Sequence, residues 1–200
     1  MTATVPGPDG LPRCPWCAIG PDMLAYHDAE WGFPVADDRR LFEKFCLETF
    51  QSGLSWRTIL AKRDNFRAAF HGFDIARVAA MSEADIARLL QNDGIIRNRA
   101  KIAAVIGNAR RVQALIADMG SLAAYVWGFE PAATAPAMSR TTSPESVAMA
   151  RDLKKRGWAF VGPTTVFALM QSMGLINDHV EGCVTRQAVA QARAGFQPPV

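Results

Sequence analysis

The sequence predicts an all-α protein, and three observations carry that prediction. Apolar residues recur at i, i+3, i+4 spacing through most of the chain. Helix-start residues stand directly before several of these runs, and no stretch alternates apolar with polar residues as a half-buried strand does. The length of 200 residues favours one domain or two small lobes. With 50% of residues hydrophobic and 20% charged, the chain can bury a core and is not disordered by default.

Residues 1–12 are rich in Pro and Gly and are expected to form a flexible tail ahead of a helical domain spanning 13–184. Asp37 or Asp38 can cap a first helix whose Leu41, Phe42, Phe45, Cys46 and Thr49 share a face. Gly53 interrupts, and a second helical stretch starts at Trp56. Asp74 can cap residues 75–81, and the capping-box pattern Ser82-Glu83-Ala84-Asp85 opens a helix ending near Asn92. Gly94 is a stop signal before a longer helix over residues 99–119. Residues 128–142 read as a loop. Ser143-Pro144-Glu145 combines a cap, a first-position proline and a first-turn acid, and starts a helix that ends at Gly157. A further helix over residues 163–173 stops at Gly174, and residues 185–200 are expected to fray.

Charge excludes little. Twenty-two basic against 19 acidic residues leave a net +3, so only the placement of the cations can mark a nucleic-acid surface. No run reaches the roughly 18 apolar residues of a membrane span, and no signal-peptide core is present, so a cytoplasmic protein with no membrane partner is expected. Four cysteines then read as metal ligands or core residues rather than disulfides.

Two pairings stand at opposite ends of the chain, Cys14 with His27 and His179 with Cys183. Thiols and imidazoles are the ligands a tetrahedral zinc ion prefers, and four of them close the site against an activated water, which favours a structural over a catalytic metal. The bland alternative is that His179 packs and Cys183 is a buried hydrophobe. Cys14-Pro15-Trp16-Cys17 is also a CxxC, which leaves open which thiolate would bind.

Trp16, Tyr26, Trp31 and Trp56 all fall in the first third of the chain. Singly each reads as core; as a group beside a carboxylate they can line a flat pocket for a planar cation. Glu48 is that carboxylate, an acid toward the C-terminal end of an apolar helix, where acids are mildly unfavourable. Residues 93–101 join two helices through Gly94 and carry Arg97, Arg99 and Lys101, a turn that suits either a phosphate or plain solvent exposure. Lys154-Lys155-Arg156 suits a helix C-terminus without needing a partner.

With these residues assembled, the chain resembles the type I DNA-3-methyladenine glycosylases of bacteria, within the helix-hairpin-helix glycosylases. The matching stretches are Ala25-Tyr26-His27-Asp28, Glu30-Trp31-Gly32, Cys46-Leu47-Glu48, Ser52-Gly53-Leu54-Ser55-Trp56, Gly94-Ile95-Ile96-Arg97, Ile106-Gly107-Asn108-Ala109, Lys154-Lys155-Arg156-Gly157 and Asn177-Asp178-His179-Val180, in the family's order over residues 13–184. The resemblance implies a monofunctional hydrolase that flips and releases 3-methyladenine from double-stranded DNA, acts as a monomer and carries one structural zinc ion. It implies Cys14, His27, His179 and Cys183 as zinc ligands and Glu48 as the catalytic carboxylate, with Tyr26, Trp56, Trp16 and Trp31 holding the base. It implies Gly53 and Leu54 as fillers of the gap left by the flipped nucleotide, with Gly94, Ile95, Arg97 and Arg99 on the DNA-binding hairpin. Thr49-Phe50 is bulkier than expected beside Glu48, with an expected effect on pocket volume.

Overall fold

A computed structural model describes residues 4–132 and 136–199, and residues 133–135 of the expected loop lie outside it. Two residue pairs, β1 (Val5–Pro6) and β2 (Pro12–Arg13), form a short antiparallel ladder, so part of the expected tail is ordered. The remaining elements are helical. They are α1 (Pro21–Ala29), α2 (Asp38–Gln51), α3 (Trp56–Ala61), α4 (Arg63–Ala69), α5 (Ile75–Ala79), α6 (Glu83–Leu89), α7 (Arg99–Met119), α8 (Leu122–Trp127), α9 (Pro144–Lys155), α10 (Pro163–Ser172) and α11 (Val184–Ala194). No helix among the described residues is long and apolar enough to cross a membrane.

The caps follow the sequence. Asp37, Asp74 and Asn98 accept from the backbone N–H three residues on, opening α2, α5 and α7. Ser82 and Asp85 form the capping box of α6, and Ser143 caps α9 ahead of Pro144. Most of the segment expected to fray is instead the helix α11, which starts from Cys183, touches β2 and buries Thr185, bonded to Asp28, and Val189, beside Gly32.

Helix α2 organises the fold, packing against α3, α7, α8 and α10. Its Leu41, Phe42 and Phe50 are fully buried in the main core with Phe66, Phe70 and Phe73. A smaller cluster of Met23, Tyr26, Trp31 and Leu60 joins α1 to α3 beside Trp16 and Trp56. Gly174, at φ +86°, lets the end of α10 approach the chain at residues 33–34, where a Cβ would lie 2.5 Å from the Pro34 nitrogen. That approach brings the C-terminal third against the segment following α1.

Candidate active site

Helix α2 places two charged side chains one turn apart on the face that carries Leu41 and Phe45. Lys44 and Glu48 are each only 5% exposed, and the Lys44 Nζ lies 2.9 Å from Glu48 Oε1. The same ammonium donates to the Tyr26 hydroxyl at 2.8 Å and sits 3.3 Å from the centre of the Trp56 ring. Burial works against the Lys44 charge, but Glu48 and Tyr26 outweigh it and hold its pKa above the ordinary lysine value. Burial pushes the Tyr26 phenol up.

These groups face a cleft of about 380 Å³. Glu48, Tyr26, Trp56, Trp16 and Trp31 all line it, so the five residues chosen from sequence converge. Its aromatic walls interlock: Tyr26 and Trp56 centroids are 5.1 Å apart, and Trp16 meets Trp31 edge-on, also at 5.1 Å. Lys44, Gln51, Arg57 and Met23 line it as well and were not singled out from sequence. Leu41, Lys44, Phe45 and Glu48 share one helical stripe, but that pattern alone does not distinguish a buried Lys–Glu pair from a solvated one. Thr49 and Phe50 do not touch the cleft, contrary to the expectation about its volume. Thr49 Oγ1 donates to the Phe45 carbonyl, and Phe50 packs 4.5 Å from Phe66 in the core.

At the end of α2 the chain turns through Ser52, Gly53 and Leu54 before Ser55 caps α3. Gly53 has φ +79°, and Leu54 is 42% exposed, a large apolar side chain presented to solvent beside the cleft residues Gln51 and Ser55. Lys101, at the start of α7, donates to the Phe50 and Ser52 carbonyls at 2.8 and 2.5 Å and ties this turn to the α6–α7 connection. In that connection Ile95 is buried, which removes its side chain from any surface role. The Gly94 N–H is taken by Asn92 Oδ1 at 2.9 Å, and Lys62 donates to the Asp93 and Gly94 carbonyls. Arg97 and Arg99 are exposed, and Arg99 pairs with Glu83. Arg156 is held by Asp152 and Asp118, a helix-end role.

Cys14, His27, His179 and Cys183 form a second, wholly buried site. Their ligand atoms all lie within 4.8 Å of one another, and the group could hold a metal ion. Sγ of Cys14 is 3.7 Å from His179 Nδ1, which is 3.1 Å from His27 Nε2, and Cys183 Sγ is 3.5 Å from His27 Nε2 and 3.6 Å from His179 Nδ1. The outer ring nitrogens are also placed: His27 Nδ1 is 2.7 Å from Asp28 Oδ1 and His179 Nε2 is 3.0 Å from the Trp31 carbonyl. Asp28 is gripped by Arg13, which with His27 holds its pKa below the usual range despite partial burial. The Cys14–Cys183 contact pushes the Cys14 thiol up and, with hydrogen bonds from His179 and His27, the Cys183 thiol down. Cys17 stands outside the group, its Sγ donating to the Cys14 carbonyl at 3.1 Å. His27 directly follows Tyr26, and Trp31 packs 4.6 Å from the His179 ring, so this site braces one wall of the cleft.

The chain matches the family model described as methyladenine glycosylase over residues 16–187. It is 48% identical over 179 residues to DNA-3-methyladenine glycosylase 1 of Escherichia coli (strain K12), covering 86% of this chain and 96% of that protein. It is 43% identical over 177 residues to the DNA-3-methyladenine glycosylase of Haemophilus influenzae, with the same coverages. Among solved structures it is similar to a 3-methyladenine DNA glycosylase I at TM-score 0.81 and 50% identity, covering 86% of this chain and 98% of that one. It is also similar to the Staphylococcus aureus enzyme solved for its recognition of 3-methyladenine, at TM-score 0.82 and 30% identity, covering 87% and 96%.

Proposed function

Because the chain belongs to the methyladenine glycosylase family, we propose a division of labour among its cleft residues for hydrolysing the N-glycosidic bond of 3-methyladenine in alkylated DNA. The observation that carries it is the convergence of four aromatic rings and one buried carboxylate on a single cleft of about 380 Å³, ample for a purine. Flipping a nucleotide costs a few kcal/mol, less for a damaged base. Stacking on Trp56, with Tyr26, Trp16 and Trp31 as the other walls, returns about 1–3 kcal/mol. The indole N–H groups of Trp16 and Trp56 are buried without a protein acceptor and suit the ring nitrogens of a purine.

Glu48 Oε1 is taken by Lys44, and in this reading Oε2 receives the exocyclic amino group of adenine. An alkylated guanine would turn a carbonyl oxygen to the same carboxylate and be refused. Methylation at N3 makes the base a good leaving group, so the glycosidic electron pair passes to the base without strong acid catalysis. Water then adds at the sugar, giving the free base and an abasic site. Gly53 and Leu54 fill the gap in a double-stranded substrate. The α6–α7 connection acts as the DNA-binding hairpin, with Gly94 and Ile95 shaping its turn through internal hydrogen bonds and the exposed side chains of Arg97 and Arg99 facing the DNA.

The four-ligand site suits zinc. Tetrahedral bonds of about 2.0 Å to nitrogen and about 2.3 Å to sulfur set ligand–ligand edges of roughly 3.3–3.8 Å, close to the 3.1–3.7 Å found for the four edges that meet at His179 and Cys183. Bound there, the ion supplies structural closure of the chain ends and no open position for water. The same reading has the protein act as a cytoplasmic monomer. Incubation with methylated double-stranded DNA, followed by identification of the released bases, tests it: 3-methyladenine is expected in the soluble fraction, and no released base would overturn it.

A further inference from the structure

One side of the cleft is built by none of α1, α2 and α3. There it is lined by Ala168 and Gln171 of α10 and by Met138, from the chain between α8 and α9. The Met138 backbone is left-handed, at φ +54°, a conformation that a non-glycine residue keeps only where its surroundings enforce it. Four non-glycine residues share such a backbone among the described residues, and Met138 is the one that lines the cleft. Asp178 enforces it. Its Oδ1 accepts the Met138 N–H at 2.8 Å, and its Oδ2 accepts from Gln171 Nε2 at 2.5 Å. This carboxylate is only 5% exposed, and the hydrolysis makes no other use of it. The same turn is pinned to α10 by Arg140, whose guanidinium lies 5.7 Å from the Phe167 ring centre, and is closed by Ser139, whose hydroxyl donates to the Pro136 carbonyl.

What this device presents is a side chain that is 42% exposed. An exposed methionine adds little to stability, so a strained backbone held by a buried carboxylate is explained by what it offers to a ligand. A flipped nucleotide brings its base into the cleft and leaves the attached sugar at the mouth. Met138 both lines the cleft and meets solvent, which places it at the mouth, and its flexible thioether chain suits the apolar C–H face of a deoxyribose. We propose that Met138 is a substrate-contacting residue that packs on the deoxyribose of the flipped nucleotide, and that Asp178 is the positioning residue that presents it. The inference rests on reading the cleft as the base site.

The test follows single-turnover release of 3-methyladenine from methylated duplex DNA, binding of free 3-methyladenine by tryptophan fluorescence, and bound metal, because Asp178 precedes His179. Met138→Ala should slow release about five- to tenfold, the worth of one partly buried apolar contact. It should leave free-base binding unchanged, because the free base carries no sugar. Asp178→Ala should slow release by a similar factor, with little further loss in the double variant, because Asp178 acts through Met138. Asp178→Asn should recover most of the rate: its Oδ1 still accepts from Met138, and Gln171 can turn its amide to accept from the new Nδ2. Release at the wild-type rate by Met138→Ala overturns the proposal, as does an equal loss of free-base binding. Additive losses in the double variant overturn the role of Asp178, as does an Asp178→Asn variant as slow as Asp178→Ala. If Asp178→Ala does not fold or loses its metal, Met138→Ala and Asp178→Asn decide, and an Asp178→Asn as slow as Met138→Ala then overturns the role of Asp178. Wild-type protein that releases no 3-methyladenine counts against the functional reading, whereas release that Met138→Ala leaves unchanged overturns the sugar contact alone.

Discussion

Lys101→Met should unfasten the turn that carries Gly53 and Leu54. The Lys101 ammonium is 7% exposed and makes two charged hydrogen bonds, to the Phe50 and Ser52 carbonyls. A hydrogen bond to a charged group contributes about 1.5–3 kcal/mol, and a buried acceptor left without a donor bears its desolvation cost uncompensated. Ser52 is exposed, so water can satisfy its carbonyl; Phe50 is fully buried. Burial lowers the Lys101 pKa, so part of the gain is spent on desolvating the ammonium. The net loss should be about 3 kcal/mol, which for a chain of this size lowers Tm by roughly 6–12 °C. Thermal and urea unfolding, at a fixed metal concentration, measure it. The loosened turn should slow excision from DNA more than it weakens binding of free 3-methyladenine, because the turn lies beside the cleft rather than within it. A stability change below about 1 kcal/mol would refute the reasoning, since it falls short of even one charged hydrogen bond.

Three further outcomes follow from other parts of the molecule. Chelation, or Cys183→Ser, should strip the bound metal and lower Tm and excision together, because the site braces the cleft; metal analysis with calorimetry checks it, and activity lost with Tm unchanged would point to a catalytic ion. Leu54→Ala removes an exposed side chain, so stability should stay within about 0.5 kcal/mol while excision from duplex DNA falls, which parallel unfolding and single-turnover assays separate. Asp85, whose pKa is held at about 2 instead of 3.8 by the Ser82 backbone N–H, Arg88 and the Ser82 hydroxyl, contributes stability that is present above pH 3.8 and lost as pH falls towards 2. Asp85→Asn should flatten that part of the acid-unfolding profile.

Much of this architecture is legible in the sequence because it is written in local signals. The long helix α7 matches its sequence-based bounds at residues 99–119, and the caps at Asp37, Asp74, Ser82 and Ser143 start the helices they were expected to start. Helices α1 and α11 were not legible. Each buries few side chains on a long-range partner, α1 through Met23, Tyr26 and His27 and α11 through Thr185 and Val189, so neither shows a broad apolar stripe. The aromatic residues and Glu48 stood out by composition and position, and the two Cys/His pairs by ligand type. Lys44 did not, because a Lys–Glu pair at i, i+4 ordinarily sits on the solvent face, and here Tyr26 of α1 and Trp56 of α3 cover it. Cys17 was ambiguous for a similar reason: spacing alone cannot tell a thiol turned to a ligand cluster from one turned to a carbonyl.

Excision by Glu48→Gln bears most directly on the central claim, that the carboxylate in the aromatic cleft governs removal of the base. Single-turnover release of 3-methyladenine from methylated duplex DNA should be compared with the wild type, with thermal unfolding run alongside to confirm that the variant is folded. Because Glu48 is buried and accepts from Lys44, the variant should lose most of its excision while still binding DNA. Release at the wild-type rate by a folded Glu48→Gln would contradict the claim.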